Sequence, residues 1–193
     1  MEGCKKIGLF VIDTLRYDCV GYQNDKKFLE KEKILDLLET PTLDEISKKS
    51  ACFSKCYSTS SLTVQVIASM FTGTTQINHG IRFESESTEW ILNHKTKTLA
   101  EILKEEGYIT VCSCDTPLHF TVPKLNRGFD YDFSEDDEGL FTFLEKHKDD
   151  KIFLFTLFGD VHVPYMHSLV PPDKKYNEDY FVEMKKAYKK YDL

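Results

Sequence analysis

The chain has 193 residues, of which 41% are hydrophobic and 13% aromatic, so it can bury a core and lacks the low hydrophobicity of a disordered chain. Acidic residues outnumber basic ones 32 to 25, for a net charge of -7, which gives no field that favours a nucleic-acid backbone or an anionic membrane surface. No stretch approaches the roughly 20 apolar residues that span a bilayer. The first residues carry neither a long apolar region nor a small-residue cleavage site, so a cytoplasmic location is expected and the six cysteines, with no C-x-x-C pair, are expected to be reduced.

In chain order, Ile7 to Ile12 is a continuous apolar run ending in Asp13, which suits a strand buried on both faces of a sheet. Arg16 and Asp18 just beyond it can pair on the surface. Gln23 to Lys33 reads as a loop or exposed helix, and Thr40-Pro41-Thr42 opens a helical stretch from Leu43 to Lys48. Phe53 to Tyr57 reads as a short strand leading into the turn-rich Ser58 to Ser61. Apolar residues crowd a helix from Val64 to Phe71 that stops near Gly73, which puts Thr63 at or just before its N-terminus.

Thr98 to Glu106 is an amphipathic helix closed by Gly107 and followed by a strand from Tyr108 to Cys112. Glu135 to His147 starts acidic and ends basic, as a helix does, and Lys151 to Leu157 is a further apolar strand running into Gly159-Asp160-Val161-His162. Asn177 to Tyr191 is a polar helix with Phe181, Met184, Ala187 and Tyr188 on about one face. This alternation predicts an α/β fold, a mostly parallel sheet with helices on both faces, and such sheets place their sites outside the carboxyl ends of the strands, where Asp13 and His162 fall.

Three residues are candidates for chemistry. Asp13 can offer an oxygen ligand to a divalent cation, or simply accept a loop hydrogen bond. Thr63 stands where a helix offers free N–H groups to an anionic ester, so it is either a nucleophile activated by a metal or an ordinary N-cap. His162 can donate to a leaving group or hold an ester oxygen, or be structural beside Pro164. His79 carries the same ambiguity and His119 a weaker version of it, while His94, His147 and His167 read as surface residues.

Taken in order, these segments resemble the N-terminal half of the sulfatase branch of the alkaline phosphatase superfamily. Val11-Ile12-Asp13-Thr14-Leu15-Arg16-Tyr17-Asp18 is similar to that family's first strand and metal-binding aspartate, and Thr40-Pro41-Thr42-Leu43-Asp44 to its T-P-N-L-D element. Tyr57 to Gly73 is similar to the nucleophile segment, and His79-Gly80, Thr98 to Lys104, Gly107-Tyr108, Arg127-Gly128-Phe129-Asp130 and His162-Val163-Pro164-Tyr165 follow in the family's order. The resemblance implies an alkaline phosphatase-like domain over 1–193, lacking its C-terminal part. It implies Asp13 as a metal ligand, Thr63 as nucleophile and metal contact, His162 lining the substrate site, a divalent cation (calcium, zinc or manganese), and a small-molecule phosphate or sulfate ester as substrate.

Two departures shape the expectation. The sulfatase signature C-x-P-S-R, whose cysteine or serine becomes formylglycine, is here Thr63-Val64-Gln65-Val66-Ile67, and threonine cannot yield that aldehyde. Phosphoester hydrolysis or transfer through threonine is therefore expected ahead of sulfate-ester hydrolysis. Thr14 stands where many sulfatases have a second aspartate, and no D-H-G or D-N-G segment follows His162 to complete the metal site. The chain is thus expected to be a fragment or a non-catalytic relative that binds an ester or a partner, with an exposed apolar sheet edge open to self-association.

Overall fold

The computed structural model describes residues 5–21, 40–82, 91–115, 124–134, 136–159 and 161–162. Outside them lie the segments expected at Gln23 to Lys33 and Asn177 to Tyr191, together with Asp160, His119, His167 and the side chain of Asp18, and with it the expected Arg16–Asp18 pair.

Four strands form one parallel sheet in the order β1-β4-β2-β3: β1 (Lys6–Ile12), β2 (Ile109–Cys114), β3 (Tyr131–Asp132) and β4 (Ile152–Phe158). The helices are α1 (Pro41–Ser47), α2 (Thr63–Thr72), α3 (Gln76–His79), α4 (Leu99–Glu105) and α5 (Asp137–Lys146). The expected α/β class, with a parallel sheet and helices on both faces, is what the chain adopts.

Local chemistry explains most boundaries. Pro41 opens α1, where its missing N–H costs nothing. Gly73, in the left-handed region at φ 64°, closes α2 by donating to Ser69 O at 2.8 Å. Thr98 and Glu101 form a reciprocal capping box at α4, and Asp136 caps α5 by accepting from Gly139 N at 2.9 Å.

The two faces of the sheet are packed differently. On the first, Phe153, Phe155 and Leu157 of β4 and Cys112 and Cys114 of β2 meet Val64, Ile67, Ala68 and Phe71 of α2 and Ala100 of α4, with Ile7, Leu9 and Val11 of β1 against them. Burial among these side chains pushes the Cys114 thiol up to about 12 and the Cys112 thiol higher still, so both stay protonated and act as small hydrophobes. On the second face Val111 and Ile152 meet Leu140, with Phe143 and Leu144 of α5 packed alongside.

Two expectations are corrected. β1 is not buried on both faces: its side chains alternate, and Phe10 is 60% exposed, because among the described residues no helix covers β1 on the second face. Phe53 to Tyr57 is not a strand. It has no described neighbour to pair with, and Phe53 and Tyr57 are 81% and 85% exposed. A strand is a pairing, and alternation in sequence does not supply the partner.

The Arg127-Gly128-Phe129-Asp130 turn locks α4 to β2. Arg127 donates to Glu101 Oε2 at 2.9 Å and to the Asn93 and Thr96 carbonyls, Thr98 Oγ1 donates to Arg127 O at 2.9 Å, and Thr110 Oγ1 donates to Gly128 O at 2.6 Å. Partial burial alone would raise the Glu101 pKa, but the hydrogen bonds from Arg127 and the Thr98 backbone outweigh it and hold the carboxyl below its usual value. Gly128 is required here: at φ 93°, any Cβ would sit 2.4 Å from Glu101 N. Phe129 then stacks on Phe153 with ring centroids 5.9 Å apart.

Candidate functional site

β1, β4 and β2 end side by side, and their C-terminal ends carry Asp13, Gly159 and Asp115. The ends are tied together by hydrogen bonds. Asp13 N donates to Phe158 O at 2.9 Å, Asp115 N donates to Leu157 O at 3.2 Å, and Gly159 N donates to Asp115 Oδ2 at 2.6 Å. Thr14 Oγ1 donates to Val161 O at 2.8 Å, fixing the loop after β4 to the loop after β1.

Thr14 adopts φ 57°, the left-handed region that a β-branched residue rarely occupies. Such backbone costs on the order of 1–3 kcal/mol and persists only where the surroundings hold it. Here its hydroxyl bond to Val161 and the Asp13 bond to β4 hold it, at the turn that aims Asp13.

α2 aims its first turn at the same place. Thr63 is the first helical residue, Leu62 occupies the N-cap position without a side-chain cap, and the first helical bond runs from Val66 N to Leu62 O. Thr63 is therefore not the N-cap. Its hydroxyl instead donates to Asp13, at 3.0 Å from Oδ2 and 3.3 Å from Oδ1, across 50 residues of sequence. No acidic residue of α2 itself occupies its first turn, and the carboxylate beside the positive end of the helix is that of Asp13, which Thr63 contacts.

The loop before α2 is pinned from below. Ser60 Oγ donates to Gln65 Oε1 at 2.5 Å and accepts from Leu62 N at 3.1 Å, while the buried Gln65 donates through Nε2 to Arg82 O. This fixes the register at which the chain enters α2, and hence the direction of Thr63.

The candidate residues thus separate. Asp13 and Thr63 meet. His162 is exposed on the loop after β4, one residue beyond the Thr14 contact, with its backbone N donating to Gly159 O at 2.8 Å. His79 is in the core: fully buried, with Nδ1 accepting from Ile81 N at 3.2 Å, so that Nε2 carries the proton and faces Ser69 Oγ at 3.1 Å. Burial lowers its pKa and keeps it neutral. Asp115 went unnoticed in the sequence, although its signal was the one that marked Asp13: an apolar strand ending in a carboxylate.

The arrangement suits a hard cation in kind, since Asp13 and Thr63 offer only oxygen donors. It supplies part of a coordination sphere: among the described residues no three His, Cys, Asp or Glu side chains come together to hold a metal. No described helix is long and apolar enough to cross a membrane.

A family model described as Sulfatase matches residues 7–144. The chain belongs to the sulfatase family. Among solved structures it is similar to BT4656 in complex with its substrate D-glucosamine-2-N,6-O-disulfate, with TM-score 0.62 and 17% identity, over 83% of this chain and 35% of that one. It is also similar to an alkaline phosphatase superfamily protein from Vibrio parahaemolyticus, with TM-score 0.59 and 20% identity, over 96% of this chain and 50% of the other. A third likeness is to the C-terminal periplasmic domain of EcEptC from Escherichia coli, in complex with zinc, with TM-score 0.53 and 16% identity, over 95% of this chain and 54% of that one. These likenesses establish the alkaline phosphatase-like fold, and this sulfatase-family chain spans about a third to a half of each of those structures. No curated protein matches the chain in sequence.

Proposed function

We propose that this chain carries the nucleophile half of a metal-dependent phosphate-ester hydrolase or transferase, with Thr63 as the attacking group. The observation that supports it is the contact of Thr63 Oγ1 with the Asp13 carboxylate at the open positive end of α2, where strand ends converge. A hydroxyl that merely capped the helix would turn to a backbone N–H; this one turns to a carboxylate fifty residues away.

In this reading Asp13 and Thr63 are the residues that would hold a divalent cation, which would supply positive charge to make the hydroxyl a better nucleophile and to offset that of the ester. Asp13 orients the Thr63 hydroxyl through the hydrogen bond it accepts. The N–H groups at the start of α2 hold the ester's non-bridging oxygens. Thr63 Oγ1 passes its proton to the Asp13 carboxylate it contacts and attacks phosphorus in line, and the bond to the leaving alcohol breaks, with His162, on the neighbouring strand end, giving the departing oxygen a proton. Water or an acceptor alcohol, losing its proton to His162, then displaces phosphorus from the phosphothreonine, and the proton held by Asp13 restores the Thr63 hydroxyl.

Phosphate is favoured over sulfate by two positions. Thr63 cannot become formylglycine, and Ile67, where the sulfatase signature has its arginine, is buried in the core at 1% exposure. The sulfated substrate of BT4656 favours the second reading, a sulfuric ester hydrolase.

The test is turnover of aryl phosphate monoester, phosphodiester and sulfate substrates by the full chain with manganese, zinc or calcium, beside Thr63→Ala. The expected result is metal-dependent phosphoester turnover that falls at least about 10³-fold in Thr63→Ala while the circular dichroism spectrum is kept. Turnover unchanged by Thr63→Ala sinks the nucleophile, sulfate turnover alone favours the second reading, and no turnover on any substrate leaves a relative that binds an ester without converting it.

A further inference from the structure

α2 buries two polar side chains among its apolar ones, Gln65 and Ser69, one turn apart and so on the same side of the helix. A buried polar group costs stability unless it is partnered, and each of these is partnered on two sides. Gln65 joins Ser60, in the loop before α2, to the Arg82 carbonyl. Ser69 repeats the arrangement one turn on. Its Oγ accepts from Thr59 Oγ1 at 3.0 Å and lies 3.1 Å from Nε2 of the fully buried His79.

The second link ends on a fixed point. His79 N donates to Thr75 O at 3.0 Å, the His79 carbonyl accepts from Asn93 N at 2.9 Å, and Nδ1 accepts from Ile81 N at 3.2 Å, so the ring cannot turn without giving up a buried bond. With Nδ1 acting as acceptor, it is the Nε2–H that Ser69 receives. Thr59 is caught a second time at its backbone, where its carbonyl accepts from Gln76 Nε2 of α3 at 2.8 Å. The loop from Thr59 to Leu62 leads straight into Thr63.

The exposure of Thr59 separates a positioning role from a merely structural one. Water can satisfy a hydroxyl at the surface, so the bond to Ser69 adds little to the stability of the fold. What the bond sets is where the loop lies, and displacing a reacting group by about 1 Å can cost about 10²-fold in rate. We infer that Thr59 and Ser69, anchored on His79, are positioning residues for Thr63: they hold the loop that delivers its hydroxyl to Asp13. Their effect on turnover rests on the reading of Thr63 as nucleophile, whereas their effect on where Thr63 sits does not.

The test follows the Thr63 Cγ2 methyl by carbon-13 NMR in the full chain with labelled threonine, its resonance assigned by its loss in Thr63→Ser. Thr59→Val removes the hydroxyl and keeps the shape, and Thr59→Ser keeps the hydroxyl. Thr59→Val is expected to shift the Thr63 methyl resonance at an unchanged urea midpoint, and Thr59→Ser to leave it in place. In a Ser69→Ala background, where the partner is already gone, Thr59→Val is expected to shift it no further. With metal and an aryl phosphate, kcat is expected to fall about 10-fold in Thr59→Val at constant KM. A resonance that stays put in Thr59→Val, an undiminished shift in the Ser69→Ala background, a large fall in the urea midpoint, or an unchanged kcat would each overturn the positioning role. The resonance is read without substrate, so a shift in a chain that turns nothing over refutes the chemistry given to Thr63 and supports its placement by Thr59 and Ser69.

Discussion

The two faces of the sheet differ in how completely this part of the chain finishes them. The first face, under α2 and α4, is closed by side chains from three strands and two helices, and Ile67, Ala68, Phe153 and Phe155 are all at most 1% exposed. The second face is closed where Leu140, Phe143 and Leu144 of α5 reach Val111 and Ile152, and among the described residues no helix covers it over β1, where Phe10 is 60% exposed. The difference matters for function because α2, which presents Thr63, belongs to the closed face. The nucleophile candidate is therefore held by packing among the described residues themselves.

The largest effect separating the faces is expected at Phe155, which is fully buried and meets Phe71 edge-on with centroids 4.7 Å apart. Phe155→Ala should cost about 3–5 kcal/mol in urea unfolding, the usual price for deleting a core phenylalanine. On the second face Leu140→Ala should cost less, about 2 kcal/mol, because its cluster has only two other buried members and a partly open surround that can relax. Equal losses from the two variants would contradict the claim that the faces differ.

A smaller effect follows from His79, which ties α3 to α2 through Ser69 on the closed face. Its folded pKa lies below 6.5, so above that pH both states are neutral and its contribution is fully present. As pH falls below 6.5 the unfolded chain takes up a proton that the folded chain refuses, and stability drops by at most about 1.4 kcal/mol per pH unit. Urea midpoints at pH 7.0 and 5.5 should show the drop, and His79→Gln should flatten it. The Glu101 and Asp130 carboxyls, held below their usual values, lose their contributions only at lower pH and do not enter that window.

Much of the fold was legible because it is written in local chemistry. The run ending in Asp13, the Thr98–Glu101 box, Gly107 and Gly73, and the acidic start and basic end of α5 each mark a boundary with residues a few positions apart. The order of family-like segments pointed to the sulfatase fold, and Asp13 and Thr63 were both marked as site candidates. The misses are of another kind. Phe53 to Tyr57 has strand-like residues and no described strand beside it, and Asp115 carries the same mark as Asp13 but no family motif drew attention to it; His79, left open between a site and a structural role, is in the core.

The sequence by itself determined the alternation of strands and helices, their caps, and a threonine at the head of an apolar helix, because these depend on side chains within a turn or two of one another. Only the tertiary structure decided that Thr63 is the first residue of α2 rather than its cap, that its hydroxyl turns to Asp13, that Thr14 takes a left-handed backbone held by Val161, and that β1 is covered on one face. The start of α2 is set by the local bond from Val66 N to Leu62 O, but the Thr63–Asp13 and Thr14–Val161 bonds join residues far apart in the chain, and such contacts exist only once the parallel sheet has brought the strand ends together.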